Sequence, residues 1–485
     1  MKALIYESIG ELSKKLCASE ISSEELTRAF VDQIEKLDDS IGAYLHFDPV
    51  LAIERAIAID LKRQKKQILS PISGIPMAIK DNICTSDMPT TCASKMLEGY
   101  MSPFDAHVVK KLRANDAIIL GKLNMDEFAM GASTETSYFK KTRNPVDMGR
   151  VPGGSSGGPA AAVAAFEAAY TLGSDTGGSI RQPAAFCGVS GLKPTYGTIS
   201  RSGLIAFASS LDQIGPIAKN VEDLAFVYTA LAGHDPMDST SSERMVENKD
   251  ALIGENIEKL RVALPMNYLR EGIQKEVKDA VLEAAKTFES IGVTVEPVEI
   301  ENMEYALPAY YLLSSAEASS NLAKFDGIQY GYRHSGFDSI GSLYNQSRGF
   351  GFGTEVKRRI LLGTYALSSG YYDAYYLNAL RARQMVKETF DKLFESFDVI
   401  LTPVAPTTAY KFGEHSKNPV EMYLGDIYTV PVNIAGLPAL STNCGFDDDE
   451  MPIGMQLIGK AFSEKVILSL GLAFEKEFAK KEVVL

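Results

Sequence analysis

Cysteine is scarce in this chain of 485 residues, which contains only five. The five are odd in number, lie far apart and form no C-x-x-C pair. This pattern argues against a disulfide framework and a structural zinc site, since both need cysteines at regular spacings. We therefore expect reduced, buried thiols at Cys17, Cys84, Cys92, Cys187 and Cys444.

Positive charge and long apolar runs are also in short supply. The 49 Lys and Arg residues are outnumbered by 62 Asp and Glu residues, which gives a net charge of -13 and disfavours nonspecific nucleic-acid binding. The charge-free stretch 427–446 is interrupted by Pro, Asn and Thr, so it is too polar to cross a bilayer. Acidic residues near the N-terminus lie where a signal peptide needs an apolar run. The sequence thus predicts a cytoplasmic protein with no membrane association.

What is present is a globular composition with an α/β pattern. Hydrophobic residues make up 45% and charged residues 23% of the chain, which is enough for a sizeable core. Helical periodicity and a capping box from Ser22 to Glu25 predict an N-terminal helical layer. Other patterns predict strands at 75–82, 117–121, 259–265 and 292–300, a helix at 273–290 and a helix–strand pair at 380–404. Without a linker or repeat, we expect one α/β domain over 1–485, with the helical layer at 1–60 and the catalytic motifs at 74–215.

Two glycine-rich motifs lie in the segment 131–215, PGGSSGG at 152–158 and SDTGGSIR at 174–181. The first lacks the ending of a P-loop and the G-x-G-x-x-G spacing, which disfavours nucleotide binding. It matches the G-x-S-x-G nucleophile elbow, but that interpretation needs a catalytic histidine downstream, and no context supports one. The Asp-Thr-Gly triplet has no second copy, as an aspartic protease would need. Pro159 is expected at position N1 of an alanine-rich helix over 159–169.

A serine nucleophile with a lysine base explains these motifs better. Two glycines precede Ser179, and their uncovered amides are suited to stabilising an oxyanion. Lys80 ends an apolar strand, where burial would lower its pKa from about 10.4 toward 7 and make the amine a base. Ser155 is the candidate to relay a proton between the two.

Together, Lys80, Ser155 and Ser179 resemble the Ser-cisSer-Lys triad of the amidase signature family. The spacing of 24 residues between Ser155 in GGSSGG and Ser179 in DTGGSIR makes the match specific, and the resemblance covers nearly the whole chain. A closer similarity, to the glutamine-hydrolysing subunits of tRNA-dependent amidotransferases, lies in the stretches 125–137, 355–376 and 424–441. The resemblance implies the amidase signature fold, a mixed central β-sheet sandwiched between helices.

The resemblance also implies a role for each matched residue. Ser179 attacks the side-chain amide of glutamine, and Ser155, joined to Gly154 by a cis peptide bond, shuttles protons to neutral Lys80. Backbone amides form the oxyanion hole, and a cation and an anion from the C-terminal half bind the charged ends of glutamine. The oxyanion-hole residues are Thr176, Gly177, Gly178 and Ser179, and the substrate-binding residues are Arg359, Asp426 and Tyr310.

By this resemblance the chain is a glutaminase subunit of a heterotrimer. It supplies ammonia to a B subunit that amidates ATP-activated Glu-tRNA(Gln), and in some systems Asp-tRNA(Asn), while a small C subunit bridges the two. ATP and Mg²⁺ belong to the B subunit, and this chain needs no cofactor or metal of its own. Two alternatives stay open: a stand-alone amidase for small amides, and a catalytically silent interaction subunit, which the complete triad opposes.

Several other polar and aromatic residues are expected to have structural roles. Ser156 and Ser174 are expected to bond the backbone of tight turns, and Arg181 to pair with a carboxylate such as Asp175. Lys193 and Arg201 are expected in solvated or ion-paired positions. The tyrosines at 371, 372, 375 and 376 follow helical spacing, which favours a place in the core.

Overall fold

A mixed sheet of eleven strands runs through the computed structural model, which describes residues 4–67, 69–245, 247–270, 272–415 and 419–482. The strand order is β1-β3-β2-β4-β6-β5-β10-β11-β9-β7-β8, and helices flank the sheet. The predicted fold class is confirmed. The strands are β1 Tyr44–Phe47, β2 Pro76–Lys80, β3 Ile118–Leu123, β4 Tyr170–Asp175, β5 Ser190–Lys193, β6 Gln213–Ala218, β7 Arg261–Pro265, β8 Thr294–Val298, β9 Val399–Pro403, β10 Ala439–Phe446 and β11 Pro452–Gly459.

The α-helices of the described residues alternate with these strands. They are α1 Ile9–Cys17, α2 Ser23–Ile41, α3 Pro49–Gln64, α4 His107–Ala114, α5 Gly157–Ala164, α6 Arg181–Phe186, α7 Val221–Leu231, α8 Lys249–Leu252, α9 Lys275–Ser290, α10 Ala306–Asn321, α11 Ile340–Gly351, α12 Thr354–Ala366, α13 Asn378–Leu393, α14 Pro419–Leu424, α15 Val430–Ala435 and α16 Glu464–Glu482.

The first 60 residues are mainly helical, as predicted, but they include one strand. α2 begins at the predicted capping box, where Ser22 and Glu25 exchange side-chain-to-backbone hydrogen bonds. β1 pairs antiparallel with β3 at the edge of the sheet. In its four residues only Tyr44 is buried, so the strand is too short to show the alternation that identifies one in a sequence. Residues 1–3 of the predicted layer lie outside the described residues.

Parallel pairing places the lysine-bearing strand in the sheet interior. β2 lies between β3 and β4 and is parallel to both, and all five of its residues are buried, as an interior parallel strand requires. The predicted βαβ unit is also confirmed, since β7 and β8 pair in parallel and α9 connects them.

The alanine-rich helix is shorter than predicted. α5 begins at Gly157, so Pro159 is its third residue rather than its first. It ends at Ala164, and the left-handed backbone of Phe166, with φ of 58°, prevents its continuation to residue 169. Close packing explains its glycines, because a Cβ at Gly158 would lie 2.3 Å from the carbonyl oxygen of Asn124.

All five cysteines are free thiols, and four of them are buried as expected. Cys17 is exposed, because it is the last residue of α1 and lies on the side of the helix away from the core. None of the helices in the described ranges is both long enough and apolar enough to span a membrane.

Candidate active site

Lys80, the last residue of β2, is fully buried and lies among three serines. Its Nζ is 2.7 Å from Oγ of Ser155, 2.8 Å from Oγ of Ser156 and 3.0 Å from Oγ of Ser174. Ser156 and Ser174 therefore contact the lysine, and the prediction that they serve only tight turns is wrong. The folding of β2 beside β4 brings these side chains together, which local sequence cannot indicate.

Burial controls the protonation of Lys80. Loss of solvation lowers the pKa of its amine to about 7, although the carboxylates of Asp126, Asp175 and Asp212 act in the opposite direction. Nζ donates its hydrogen bonds to hydroxyl and carbonyl oxygens rather than to a carboxylate. A substantial fraction of the amine is thus neutral near pH 7, as a base must be.

Ser155 lies in the loop before α5, and its bond to Gly154 is cis. The amide of Gly154 donates to Oε1 of Gln182 at 2.8 Å, and the carbonyl of Ser155 accepts from the amide of Asp126 at 3.3 Å. A Cβ at Gly154 would lie 2.0 Å from Oδ2 of Asp126. The glycine at this position is therefore required by close packing against Asp126.

Ser179 lies on the loop between β4 and α6 and is 8% exposed. Its carbonyl accepts from the amide of Ser156 at 3.1 Å, which joins the two serine-bearing loops. The amide of Gly178 donates to Oδ1 of Asp175 at 2.8 Å. The amides of Thr176, Gly177 and Ser179 have no acceptor among the described residues. Of the four predicted oxyanion-hole amides, that of Gly178 is thus engaged by Asp175, whereas the other three have no acceptor in the described structure.

The predicted pairing of Arg181 with Asp175 is confirmed. Nε and Nη2 of Arg181 lie 3.1 and 3.0 Å from the two oxygens of Asp175, and both side chains are fully buried. Burial alone would raise the pKa of Asp175, but the Arg181 guanidinium lowers it well below its usual range. The carboxylate that engages the Gly178 amide therefore stays ionised.

The outcome differs for the other two predicted cations. Arg201 lies 3.8 Å from Asp238, as expected of an ion-paired residue. Lys193 is only 1% exposed and donates to the carbonyl of Pro194 at 2.7 Å, with no ion pair among the described residues. The prediction for Lys193 is wrong because β5 is an interior strand, and burial lowers the pKa of this lysine to about 7.

Arg359, on α12, is 4% exposed and lies beside an aromatic group. Its Nε donates to Oε1 of Glu355 at 2.8 Å, while its two terminal nitrogens have no acceptor in the described part of the chain. The ring centroid of Tyr311 lies 5.0 Å from its guanidinium carbon. The terminal edge of the guanidinium is thus available to a carboxylate.

Asp426 lies just after α14 and accepts from the hydroxyl of Tyr311 at 3.1 Å. Burial raises the pKa of Asp426 to about 7, opposed by the Tyr311 hydrogen bond and the charge of Arg359. Tyr310 lies against the nucleophile loop, because a Cβ at Gly177 would be 2.6 Å from its hydroxyl oxygen. The structure therefore brings Arg359, Asp426 and Tyr310 around one region beside Ser179.

A short hydrogen bond joins this region to the nucleophile loop. Oγ1 of Thr429 donates to the carbonyl of Gly177 at 2.6 Å, and it also lies 3.2 Å from the carbonyl of Asp426. The loop that carries Ser179 and the segment that carries Asp426 are thus joined directly. A neighbouring cavity of about 390 Å³, lined by Glu127, Ser133 and Glu355 among others, adjoins the Arg359 side rather than the triad.

Sequence reasoning missed Glu355 and Tyr311, which contact the two charged residues of the site. The spacing of four residues between Glu355 and Arg359 on one helix was a usable signal. It also misplaced the tyrosines at 371, 372 and 375, which are 39 to 42% exposed. Tyr371 and Tyr372 precede a π-helical turn, Asp373–Leu377, and Tyr375 lies within it. This turn rotates side chains away from the spacing assumed for a regular helix.

No group of three or more His, Cys, Asp or Glu side chains within the described ranges is arranged to hold a metal ion. The residues gathered around Lys80 and Ser179 can instead supply a hydroxyl nucleophile, a neutral amine and backbone donors. This set suits acyl transfer from an amide.

Comparison with known proteins agrees with this chemistry. Residues 25–468 match the sequence model of the amidase family. A protein of Moorella thermoacetica, named as the A subunit of glutamyl-tRNA(Gln) amidotransferase, is 53% identical over 473 residues, which are 98% of this chain and 97% of that relative. The solved structure of the glutamyl-tRNA(Gln) amidotransferase A subunit from Thermotoga maritima has a TM-score of 0.81 at 41% identity, covering 98% of this chain and 95% of that one. A bacterial aryl acylamidase of the amidase signature enzymes has a TM-score of 0.86 at 23% identity, over 97% and 96% of the two chains, and shares the fold.

Proposed function

The chain belongs to the amidase family, and on that premise we propose that it is the glutaminase subunit of a tRNA-dependent amidotransferase. The observation that carries the proposal is the 2.7 Å contact between Nζ of Lys80 and Oγ of Ser155. This lysine and serine adjoin the loop of Ser179, and that loop is bonded to the segment of Asp426 through Thr429. In this proposal Lys80 is the base, Ser155 the proton relay and Ser179 the nucleophile. Arg359 and Asp426 are the two charged anchors, which bind the charged ends of the substrate.

The first half of the proposed reaction is acylation. Oγ of Ser179 attacks the side-chain amide carbon of glutamine and gives its proton to Ser155, whose own proton passes to neutral Lys80. The negative oxygen of the tetrahedral intermediate accepts hydrogen bonds from the open amides of the nucleophile loop, Gly177 and Ser179 foremost. The proton then returns through Ser155 to the amide nitrogen, and ammonia leaves as the carbon–nitrogen bond breaks.

The second half restores the enzyme. Water attacks the glutamyl ester on Ser179 and loses a proton to the same relay, and glutamate is released when the ester bond breaks and Ser179 regains its proton. Throughout, Arg359 pairs with the α-carboxylate and Asp426 with the α-ammonium of the substrate. Tyr310 packs beside Gly177 and shapes the space for the side-chain amide.

We further propose that the ammonia goes to a B subunit that amidates tRNA-bound Glu, or Asp, and that a small C subunit joins the two. ATP and Mg²⁺ would bind to the B subunit. The name of the Moorella relative, the A subunit of an amidotransferase, supports an assembly of several different chains. The net charge of -13 also suits a chain that leaves the tRNA to its partner.

The test is glutamine hydrolysis by the purified chain, alone and with candidate partner subunits, with release of glutamate and ammonia both measured. We expect hydrolysis that increases when the partners and the tRNA substrate are present. A stand-alone amidase would hydrolyse small uncharged amides as well as glutamine and would not respond to the partners. A silent interaction subunit would give no hydrolysis under any of these conditions.

A further inference from the structure

Arg359 and Asp426 are opposite charges in one buried region, yet no ion pair joins them in the described part of the chain. Each is bonded to a different neighbour: Arg359 to Glu355 at 2.8 Å and Asp426 to Tyr311 at 3.1 Å. Opposite charges attract strongly where water is excluded. Something in the site therefore keeps these two apart.

The neighbours themselves are connected. The hydroxyl of Tyr423 donates to Oε1 of Glu355 at 3.0 Å, the same oxygen that accepts from Arg359. The rings of Tyr423 and Tyr311 lie 4.0 Å apart between centroids, with an interplanar angle of 31°. A continuous path of contacts thus runs from Arg359 through Glu355, Tyr423 and Tyr311 to Asp426.

Aromatic rings further restrict the guanidinium. Its carbon lies 5.0 Å from the ring centroid of Tyr311 and 5.5 Å from those of Tyr423 and Phe207. Such rings attract a cation by their faces but offer no acceptor in the plane of the guanidinium. The one bonded nitrogen, Nε, fixes the orientation, and the terminal edge stays open.

We propose that Glu355 and Tyr311 are positioning residues that hold Arg359 and Asp426 apart, so that each remains open to one charged end of a zwitterionic amide. Without Glu355, Arg359 would turn onto Asp426, and each anchor would neutralise the other. The inference rests on the proposed function, since it assumes a substrate with both a carboxylate and an ammonium group.

This idea makes an unusual prediction about selectivity. Loss of Glu355, which is bonded to Arg359 but not to Asp426 in the described structure, is expected to weaken recognition of the ammonium end as well. Loss of Arg359 itself is expected to weaken recognition of the carboxylate end alone, because Arg359 is then absent and cannot turn onto Asp426. Removing both residues should restore recognition of the ammonium end.

The test uses three amides that differ in the group at the far end of the same carbon chain: glutaramate carries the carboxylate, 4-aminobutyramide carries the ammonium group, and butyramide carries neither. Each is scored, with the full chain at pH 8.5, by how strongly it protects Ser179 from phenylmethanesulfonyl fluoride. The variants are Glu355→Ala, Arg359→Ala, the double variant and Tyr311→Phe. Tyr365→Phe, on an exposed tyrosine of α12, is the matched control for Tyr311→Phe.

In the unaltered chain both charged amides should protect better than butyramide. The advantage of a charged amide is its protection of Ser179 relative to that given by butyramide. Glu355→Ala and Tyr311→Phe should each lower the advantage of glutaramate and that of 4-aminobutyramide by about tenfold, a value typical of a lost hydrogen bond to a charged group. The double variant should regain the advantage of 4-aminobutyramide. If Glu355→Ala changes the rate of labelling without any amide, the fold is disturbed, and Glu355→Gln is scored by the same criterion.

Two results would overturn the inference in different ways. If Glu355→Ala loses only the glutaramate advantage, or neither, while the unaltered chain shows both, then Glu355 does not hold the anchors apart and the proposed function stands. If the unaltered chain shows no advantage for either charged amide, the proposed function fails and the inference fails with it.

Discussion

The hydroxyl of Thr429 donates a 2.6 Å hydrogen bond to the carbonyl of Gly177. This bond joins the segment that carries Asp426 to the loop that carries Ser179. We predict that Thr429→Val lowers kcat/KM for glutamine by about tenfold, because a buried carbonyl that loses its partner costs about 1 to 3 kcal/mol. Thr429→Ser keeps the hydroxyl and should stay near the unaltered value in the same steady-state assay. Equal kinetics for the Val and Ser variants would show that the hydrogen bond from Thr429 to Gly177 does not position the loop of Ser179 for the reaction.

Ser179→Ala should abolish the acyl-enzyme. The alanine variant lacks the hydroxyl that we propose attacks the amide, while the backbone amides of the loop remain. Intact-mass measurement during glutamine turnover checks this, with Ser156→Ala as the control, since Ser156 contacts Lys80 but is not the proposed nucleophile. A covalent adduct that persists in Ser179→Ala, or that maps to Ser156, would place the nucleophile elsewhere.

The pH dependence of acylation should report the protonation of Lys80. Because burial lowers its pKa to about 7, the neutral base predominates above pH 7, and the rate should rise with pH and then level off. Below pH 7 the ammonium form predominates and the rate should fall about tenfold per unit. Ser179 labelling by a neutral probe separates this titration from that of Asp426.

Lys80→Arg provides the matching variant, because a guanidinium keeps the positive charge but does not deprotonate in this range. We expect almost no acylation at any pH. Turnover close to that of the unaltered chain would mean that Lys80 acts only as a cation.

Arg359→Ala and Asp426→Ala should raise KM for glutamine about thirtyfold or more, since removing one member of a buried charge pair typically costs 2 to 5 kcal/mol. Labelling of Ser179 by a neutral probe should persist, because in the described structure neither side chain is hydrogen-bonded to Lys80, Ser155 or Ser179. Kinetics with glutamine and with butyramide decide the outcome. If both variants retain the preference for glutamine, the anchors have been assigned wrongly.

Glu167 offers a prediction about stability alone. It is fully buried, neither carboxylate oxygen has a partner in the described structure, and burial raises its pKa to about 9. Below about pH 4.5 the Glu167 carboxyl group is protonated in both the folded and the unfolded chain, so its raised pKa does not lower the stability of the fold. As pH rises from there to about 9 the unfolded chain releases the proton first, and stability falls.

Glu167→Gln should therefore raise the free energy of unfolding by an amount that grows with pH and reaches about 3 kcal/mol at pH 7. The melting temperature should rise accordingly. Thermal unfolding between pH 5 and 8 measures this, with the exposed Glu35→Gln as control. A gain that does not vary with pH would point to packing rather than to ionisation.

The sequence predicted the parts of the site that lie within short motifs. Lys80, Ser155 and Ser179 each lie in a local pattern of apolar or glycine residues, and these patterns reflect burial and close backbone packing that a sequence records directly. The contacts of Ser156 and Ser174 with Lys80 arise from strand neighbours far apart in the chain. The motifs that contain Ser156 and Ser174 therefore could not predict their contacts with Lys80.

Fold class was predictable for a similar reason, because it depends on the alternation of short apolar strands with helical periodicity over the whole chain and not on any single position. β1 was missed because four residues carry too little pattern. The exposed tyrosines near 371–376 were misplaced by an assumed helical spacing that a π-helical turn breaks. Lys193 was misjudged because its burial depends on which strands flank β5.

The division of the site between two parts of the chain has a consequence for how such a protein can change during evolution. Lys80 comes from β2, Ser155 from the loop before α5 and Ser179 from the loop between β4 and α6. The substrate-binding candidates Tyr310, Arg359 and Asp426 come from α10, α12 and the segment after α14. The proposed catalytic residues can stay unchanged while the C-terminal helices that carry the proposed substrate-binding residues are altered. New amide specificities can thus arise in the C-terminal half without rebuilding the chemistry, provided that contacts such as Thr429 with Gly177 still hold the two parts in register.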